Sequence, residues 1–301
     1  MALVALVLFG GLFLAACQAT ATANSPRPPA VAAKGYRAFS NPEPVTIEGY
    51  SGDAMEPFVS PDGQYLLFNT SNQAPVTTLQ YATRVNDQTF DYQGPVQGVN
   101  LAQGLSAVPT LDRSGRFYFV STRSYSQTLS TIYAGQFQSG SVTGVALTAG
   151  VSADTAGIVE FDVDVSPDGK TLYIAVGHFT GGSNPSSANL AIFDKTATGF
   201  SADPNSTRIL AAVNATNTLT YAADISANGR ELFFTQVNLA GGPPAIYRAT
   251  RAAVRRPFGH VQRVTAITGF AEAPSLSPDG KILYYHEKVG TVFRIYDVTR
   301  R

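Results

Sequence analysis

Five near-copies of one short turn punctuate this 301-residue chain at almost even intervals, and that period constrains the fold more than any other feature. The copies are Ser60-Pro61-Asp62-Gly63-Gln64, Asp112-Arg113-Ser114-Gly115-Arg116, Ser166-Pro167-Asp168-Gly169-Lys170, Ser226-Ala227-Asn228-Gly229-Arg230 and Ser277-Pro278-Asp279-Gly280-Lys281. Their glycines are 52, 54, 60 and 51 residues apart. In each, a small polar residue precedes a glycine that takes positive φ at no steric cost, so each segment reads as a tight turn between strands. Asp62, Asp168 and Asp279 are accordingly read as holding local backbone amides, not ligands.

Apolar residues stand three and five places after every glycine: Leu66 and Phe68, Tyr118 and Val120, Leu172 and Ile174, Leu232 and Phe234, Leu283 and Tyr285. Their neighbours are also largely apolar, as in a strand buried on both faces. A further strand recurs around Leu79-Gln80-Tyr81, Ile132-Tyr133, Ile192-Phe193, Ile246-Tyr247 and Ile295-Tyr296. Three copies share a lead-in of glycine, four residues and proline: Gly52 to Pro57, Gly104 to Pro109 and Gly269 to Pro274. This content fits a four-stranded propeller blade. The expected fold is all-β: a single β-propeller over residues 43–301 with five four-stranded blades, six being the alternative count. An open two-sheet sandwich does not predict five equal repeats. The chain stops soon after Tyr296, so residues 44–50 are expected to supply the last outer strand, closing the ring and removing an exposed sheet edge.

The Ser-Pro-Asp-Gly-Lys-x-Leu-Tyr pattern of residues 166–173 and 277–284 resembles the WD40-like repeat of TolB-type β-propellers. That resemblance implies a bacterial cell-envelope protein that binds a protein or cell-wall partner, and it is nearly silent on any reaction. Residues 1–16 are almost purely apolar and too short to span a bilayer as a helix. They close on Leu14-Ala15-Ala16-Cys17, which resembles the bacterial lipoprotein signal and implies a membrane anchor of lipid on Cys17, the only cysteine. Residues 17–42, rich in Ala, Thr, Pro, Ser and Asn, read as a tether. Gln18 after the cysteine points, by analogy with enterobacterial sorting, to the outer membrane facing the periplasm.

The 21 Lys+Arg balance 21 Asp+Glu, which argues against nucleic acid as a partner. One cysteine excludes an intramolecular disulfide and a cysteine metal cluster. No Gly-x-Ser-x-Gly elbow occurs and no residues are left over for a hydrolase domain. The absence of Trp removes the usual sugar-stacking residue, while 14 Tyr and 18 Phe leave stacking open.

Candidate binding residues fall at two places. Asp53, Glu56, Glu160, Asp162, Asp164, Asp224 and Glu272 lie at or just before the innermost strands, around one channel mouth, with Arg123 and His178 nearby. Converging carboxylates suit oxygen-ligated Ca²⁺ or an acid and base pair, and equally a solvated rim. No cofactor is assigned, Ca²⁺ being the one candidate. The alternation Glu160-Phe161-Asp162-Val163-Asp164-Val165 gives one strand an unusual polar face. His178, His260 and His286 sit at non-equivalent positions, which argues against a three-histidine metal cage. A basic run, Arg248, Arg251, Arg255, Arg256, His260 and Arg263, is expected on the opposite face as a surface for an anionic partner. The long loop 177–188 belongs to the acidic mouth and has the character of a recognition loop. The expected function is a non-catalytic, lipid-anchored scaffold, with a carbohydrate- or lactone-active hydrolase or lyase at the acidic mouth as the alternative.

Overall fold

The repeated turns fold as their residues predict. In a computed structural model that describes residues 38–72 and 75–301, Gly63, Gly115, Gly169, Gly229 and Gly280 all have φ between 66° and 80°. The Asp62, Asp168 and Asp279 carboxylates accept the amides of Gln64, Lys170 and Lys281, and the hydroxyls of Ser60, Ser166 and Ser277. Where Asp112 replaces the leading serine, its own carboxylate accepts the amides of Ser114 and Arg116. The expected signal segment and Cys17 lie outside the described residues.

Strands β1 (Ser40–Pro44) and β2 (Thr46–Glu48) precede the first blade, β3 (Met55–Val59), β4 (Tyr65–Asn69), the two-residue β5 (Val76–Thr77), β6 (Leu79–Arg84) and β7 (Thr89–Pro95). Blade two is β8 (Gly104–Leu111), β9 (Arg116–Ser121), β10 (Ile132–Gln138) and β11 (Ser141–Leu147). Blade three is β12 (Ile158–Val165), β13 (Thr171–His178), β14 (Ser187–Lys195) and β15 (Phe200–Ala202). Blade four is β16 (Thr218–Ile225), β17 (Glu231–Asn238), β18 (Ala245–Thr250) and β19 (Gly259–Arg263). Blade five is β20 (Ala271–Leu276), β21 (Ile282–Val289), β22 (Val292–Thr299) and, from the other end of the chain, β1. Successive strands within each blade pair antiparallel, β4 directly with β6, while β5 adds in parallel to β8 of blade two. The fold is thus a five-bladed all-β propeller, and every residue expected three and five places after a turn glycine is buried.

The closing strand is displaced from its expected place. β1 pairs with β22 in the register Ser40↔Thr299, Glu43↔Asp297 and Pro44↔Tyr296, so ordered structure begins inside the segment read as tether. Thr46–Glu48, expected to close the ring, instead adds in parallel to β7. Pro42 and Pro44 are compatible with β1 because an outermost strand bonds on one side only, and a missing proline N–H is harmless on the solvent side.

By the strand order, the acidic mouth carries the lead-ins to the innermost strands and the loops between second and third strands. The opposite face carries the Ser-Pro-Asp-Gly turns, the loops between third and fourth strands, and the point at which the chain arrives at Ser40.

Asp297 is buried at the seam, opposite Glu43. Burial first, then Glu43, pushes its carboxyl up to about 6, against the lowering effect of Gln88. A raised carboxyl stabilises the fold fully below its unfolded value of about 4 and loses that contribution as the pH climbs through its folded value. Asp297→Asn is expected to raise the melting temperature above pH 7 and to leave it unchanged near pH 4, as read from thermal melts across that range.

Candidate functional site

The innermost strand of a blade is a sheet edge facing the channel, so half of its backbone groups have no partner within the blade. Side chains of neighbouring blades take up these amides in two tiers. In the tier nearer the turns, Thr110 Oγ1 accepts the Val165 amide at 3.2 Å and Ser275 Oγ that of Val59 at 3.0 Å. The Asp164 carboxylate accepts Ile225 N at 2.9 Å and the Asp224 carboxylate accepts Leu276 N at 3.0 Å. These four side chains occupy equivalent places in blades two, five, three and four. The fifth place holds Phe58, which packs in a cluster with Leu111 and Phe117.

The tier at the mouth is built on a bulge. Glu56, Val108, Ala222 and Ala273 hold positive φ of 49° to 54°, a strained conformation for residues with a Cβ. The amide of Val108 donates to Asn69 Oδ1, that of Ala273 to Thr235 Oγ1 and that of Glu56 to His286 Nδ1 at 3.1 Å. Asn69, Thr235 and His286 each stand six residues after a turn glycine, on the second strand of the preceding blade. In blade three that place is Ala175, which has no acceptor, and the Asp162 carboxylate takes the Ala222 amide instead.

These two tiers account for most of the expected acidic site. Asp164 and Asp224 are buried acceptors of the ring. Glu272 is buried too; it accepts the Tyr221 hydroxyl on one oxygen and meets His286 Nε2 at 3.2 Å with the other. Because His286 Nδ1 is an acceptor, the neutral ring carries its proton on Nε2 and donates it to Glu272. Tyr221 and His286 were absent from the expected site; the signal for His286 was its repeat position. Glu56 is only half-buried, with its carboxylate on Asn72 Nδ2 at 3.2 Å, and it lines the channel beside Asp162, Asp164 and Asp224.

The remaining residues are dispersed. Asp53 accepts the Phe293 amide at 2.9 Å and so ties the first lead-in to blade five. Glu160 points away from the channel: one oxygen accepts the Ala153 amide at 2.9 Å and the other is buried without a partner. Arg123 lies over the rings of Phe119 and Tyr133 and donates to the Val99 carbonyl, bracing the second lead-in. His178 is exposed at the rim, at the start of the 177–188 loop. The polar face expected of residues 160–165 is broken by a register shift between Glu160 and Asp162, which parts Glu160 from Asp162 and Asp164; these two still line the channel together. Among the described residues, no group of three or more His, Cys, Asp or Glu side chains is placed to hold a metal ion, so the calcium expectation finds no assembled site.

The basic run is divided: Arg248 and Arg251 are buried, while Arg255, Arg256, His260 and Arg263 are exposed. Glu231 binds Arg300 through both oxygens, at 2.9 and 2.7 Å, and also Arg248. Burial would raise the Glu231 carboxyl, but Arg300 and Arg248 hold it below the usual carboxylate range. Arg251 is buried: it donates to the Gly229 carbonyl and the Tyr173 hydroxyl and lies over the Phe258 ring. Arg255 is exposed and pairs with Asp194 at 2.8 Å, while Arg256 is exposed.

Crowding makes the channel carboxyls hard to ionise. Burial raises Glu56 and Asp164 each to about 7, and raises Asp162 and Asp224 well above the usual range; Glu160, outside the channel, is raised to about 7 by its own burial. Glu56 and Asp164 add their repulsion at Asp162, and Asp164 at Asp224. Two small spaces lie along the axis, and Phe58, Asp164 and Asp224 border both, which marks a waist between them.

No protein-family profile matches the sequence, and no curated protein matches it. Among solved structures, the chain is similar to a glycoside hydrolase at 12% identity, with a TM-score of 0.56 over 88% of this chain and 92% of the other. It is also similar to the α-L-arabinofuranosidase of Podospora anserina, at 12% identity and TM-score 0.53 over 88% and 96%. A protein assigned as TolB from Agrobacterium tumefaciens aligns at 16% identity and TM-score 0.49 over 87% and 84%. Likeness at this level of identity shows the propeller fold.

Two outcomes follow from the ring. Asp164→Ala leaves the buried Ile225 amide without an acceptor and is expected to cost about 2 kcal/mol in denaturant unfolding. Asp164→Asn imitates the protonated carboxyl, so it should match the native protein below about pH 4 and exceed it in melting temperature near pH 8, where the carboxylate is ionised. Glu231→Ala leaves two arginines without a counter-charge and is expected to cost about 3 kcal/mol.

Proposed function

We propose that this protein is a non-catalytic binding scaffold of the bacterial cell envelope, held to the outer membrane through lipid on Cys17, with a protein or cell-wall glycan as partner. The observation that carries this reading is the employment of the channel acids. Asp162, Asp164 and Asp224 hold backbone amides of the next blade, and Glu272 is engaged by Tyr221 and His286. A hydrolase needs two carboxyls free to meet a substrate, one to give a proton and one to attack or to activate water. Among the described channel carboxylates, only Glu56 is not fully buried.

The mouth face offers the better recognition surface. Its loops at 177–188, around Leu239 and around Val289 come from the consecutive blades three, four and five, and both Leu239 and Val289 are exposed. The lipoprotein-like Leu14-Ala15-Ala16-Cys17 and the TolB-like Ser-Pro-Asp-Gly repeat support the envelope location. No helix among the described residues is long and apolar enough to cross a membrane.

The alternative, a carbohydrate-active enzyme, is favoured by Glu56 alone. Its carboxyl, raised to about 7 mainly by burial, lines the channel beside Asp162, in the range suited to a general acid.

Crosslinking in native cells followed by recovery of the tagged protein separates the two readings. The expected result is a stoichiometric envelope protein or a peptidoglycan fragment that is lost when residues 177–188 are replaced, and no glycan cleavage above background. Glycan cleavage that disappears in Glu56→Gln overturns the scaffold reading.

A further inference from the structure

The face opposite the acidic mouth carries one projecting element. Residues 252–257, Ala-Ala-Val-Arg-Arg-Pro, are all exposed between β18 and β19, with Val254 57% exposed at the tip beside Arg255 and Arg256. The base of this turn is fixed. Arg251 is pinned by the Gly229 carbonyl, Tyr173 and the Phe258 ring, and the buried Phe258 donates its amide to the Ile209 carbonyl. Of the two arginines that follow Val254, Arg255 is paired with Asp194, and the same face carries further exposed cations at Lys195, Arg230 and Arg301.

The turn also lies near the place where the chain reaches the ring. Phe39 packs against Phe233 of blade four at 5.8 Å and lies under Arg300, which binds Glu231, which in turn binds Arg248 at the foot of the turn. On the other side of blade five, the turn between β6 and β7 presents a second exposed valine, Val85, next to Arg84. Two valines, each adjoining an arginine, thus flank the arrival of the chain on one face.

We propose that residues 252–257 form a membrane-contact turn, in which Val254 enters the headgroup region of an anionic bilayer and Arg256, with its cationic neighbours, binds the lipid phosphates. Apolar side chains ringed by cations associate with anionic lipid surfaces through both terms together. The contact seats the Ser-Pro-Asp-Gly face on the membrane and turns the acidic mouth away from it. This inference deepens the anchored reading, and its test is scored independently of the anchor.

The experiment places an environment-sensitive dye on Val254→Cys in the full chain carrying Cys17→Ala, mixed with phosphatidylglycerol or phosphatidylcholine vesicles, with Leu239→Cys on the opposite face as control. Expected is a blue shift of the dye at 254 with phosphatidylglycerol only, its loss when Arg256→Glu is added, and no shift at 239. Vesicle-bound protein with no shift at 254, an equal shift at 239, or a shift that survives Arg256→Glu overturns the proposal, as does a shift that needs an added protein. Anchoring is read separately, by whether Cys17→Ala releases the protein from the membrane fraction of cells.

Discussion

Every blade of this propeller ends toward the axis in a strand whose inner edge has no partner, and the structure depends on how those amides are satisfied. A hydrogen-bonding group buried without a partner costs about as much as a whole net hydrogen bond contributes. Here the debt is met sideways. Thr110, Asp164, Asp224 and Ser275 reach across to the next inner strand, and Asn69, Thr235 and His286 reach to the strained amides of the bulges. The ring is thereby laced by side chains at its narrowest circumference, in addition to the apolar packing between blades.

That lacing explains the acidity of the channel without any appeal to chemistry. What the position requires is an acceptor, and a hydroxyl, an amide oxygen or a carboxylate each supplies one. The same place in the repeat is Thr110 in one blade, Asp164 in another and Ser275 in a third. Two carboxyls so close to the axis repel each other when ionised, and burial denies them solvent. Both effects favour the proton, which leaves the acceptor function intact on the other oxygen.

The architecture was legible because its signals are local and repeated. A glycine with positive φ, a small acceptor before it and a buried strand after it recur five times, and each element was decided by its own residues. The closing strand falls a few residues earlier than expected, because residues 40–42 share the composition of the tether and only their pairing with β22, at the other end of the chain, makes them a strand. The acidic residues were found, but their grouping was not. Glu160, Asp162 and Asp164 alternate in sequence as if on one face, and a register shift takes Glu160 out of that row. Arg248 and Arg251 looked like surface charge until Glu231, Tyr173 and Phe258, remote in sequence, were brought against them. Pairings of that kind depend on which blades are neighbours, which no short window of sequence contains.

The closure by β1 has a mechanical side. The described chain reaches the ring at Ser40 and runs antiparallel to β22, so any pull transmitted through the preceding residues acts directly on the one seam that makes the ring continuous. A pull along the strand loads its hydrogen bonds together in shear, while a pull across it opens them one after another from Ser40↔Thr299 inward. The resistance of the whole propeller to traction therefore depends on the angle at which the chain leaves that face.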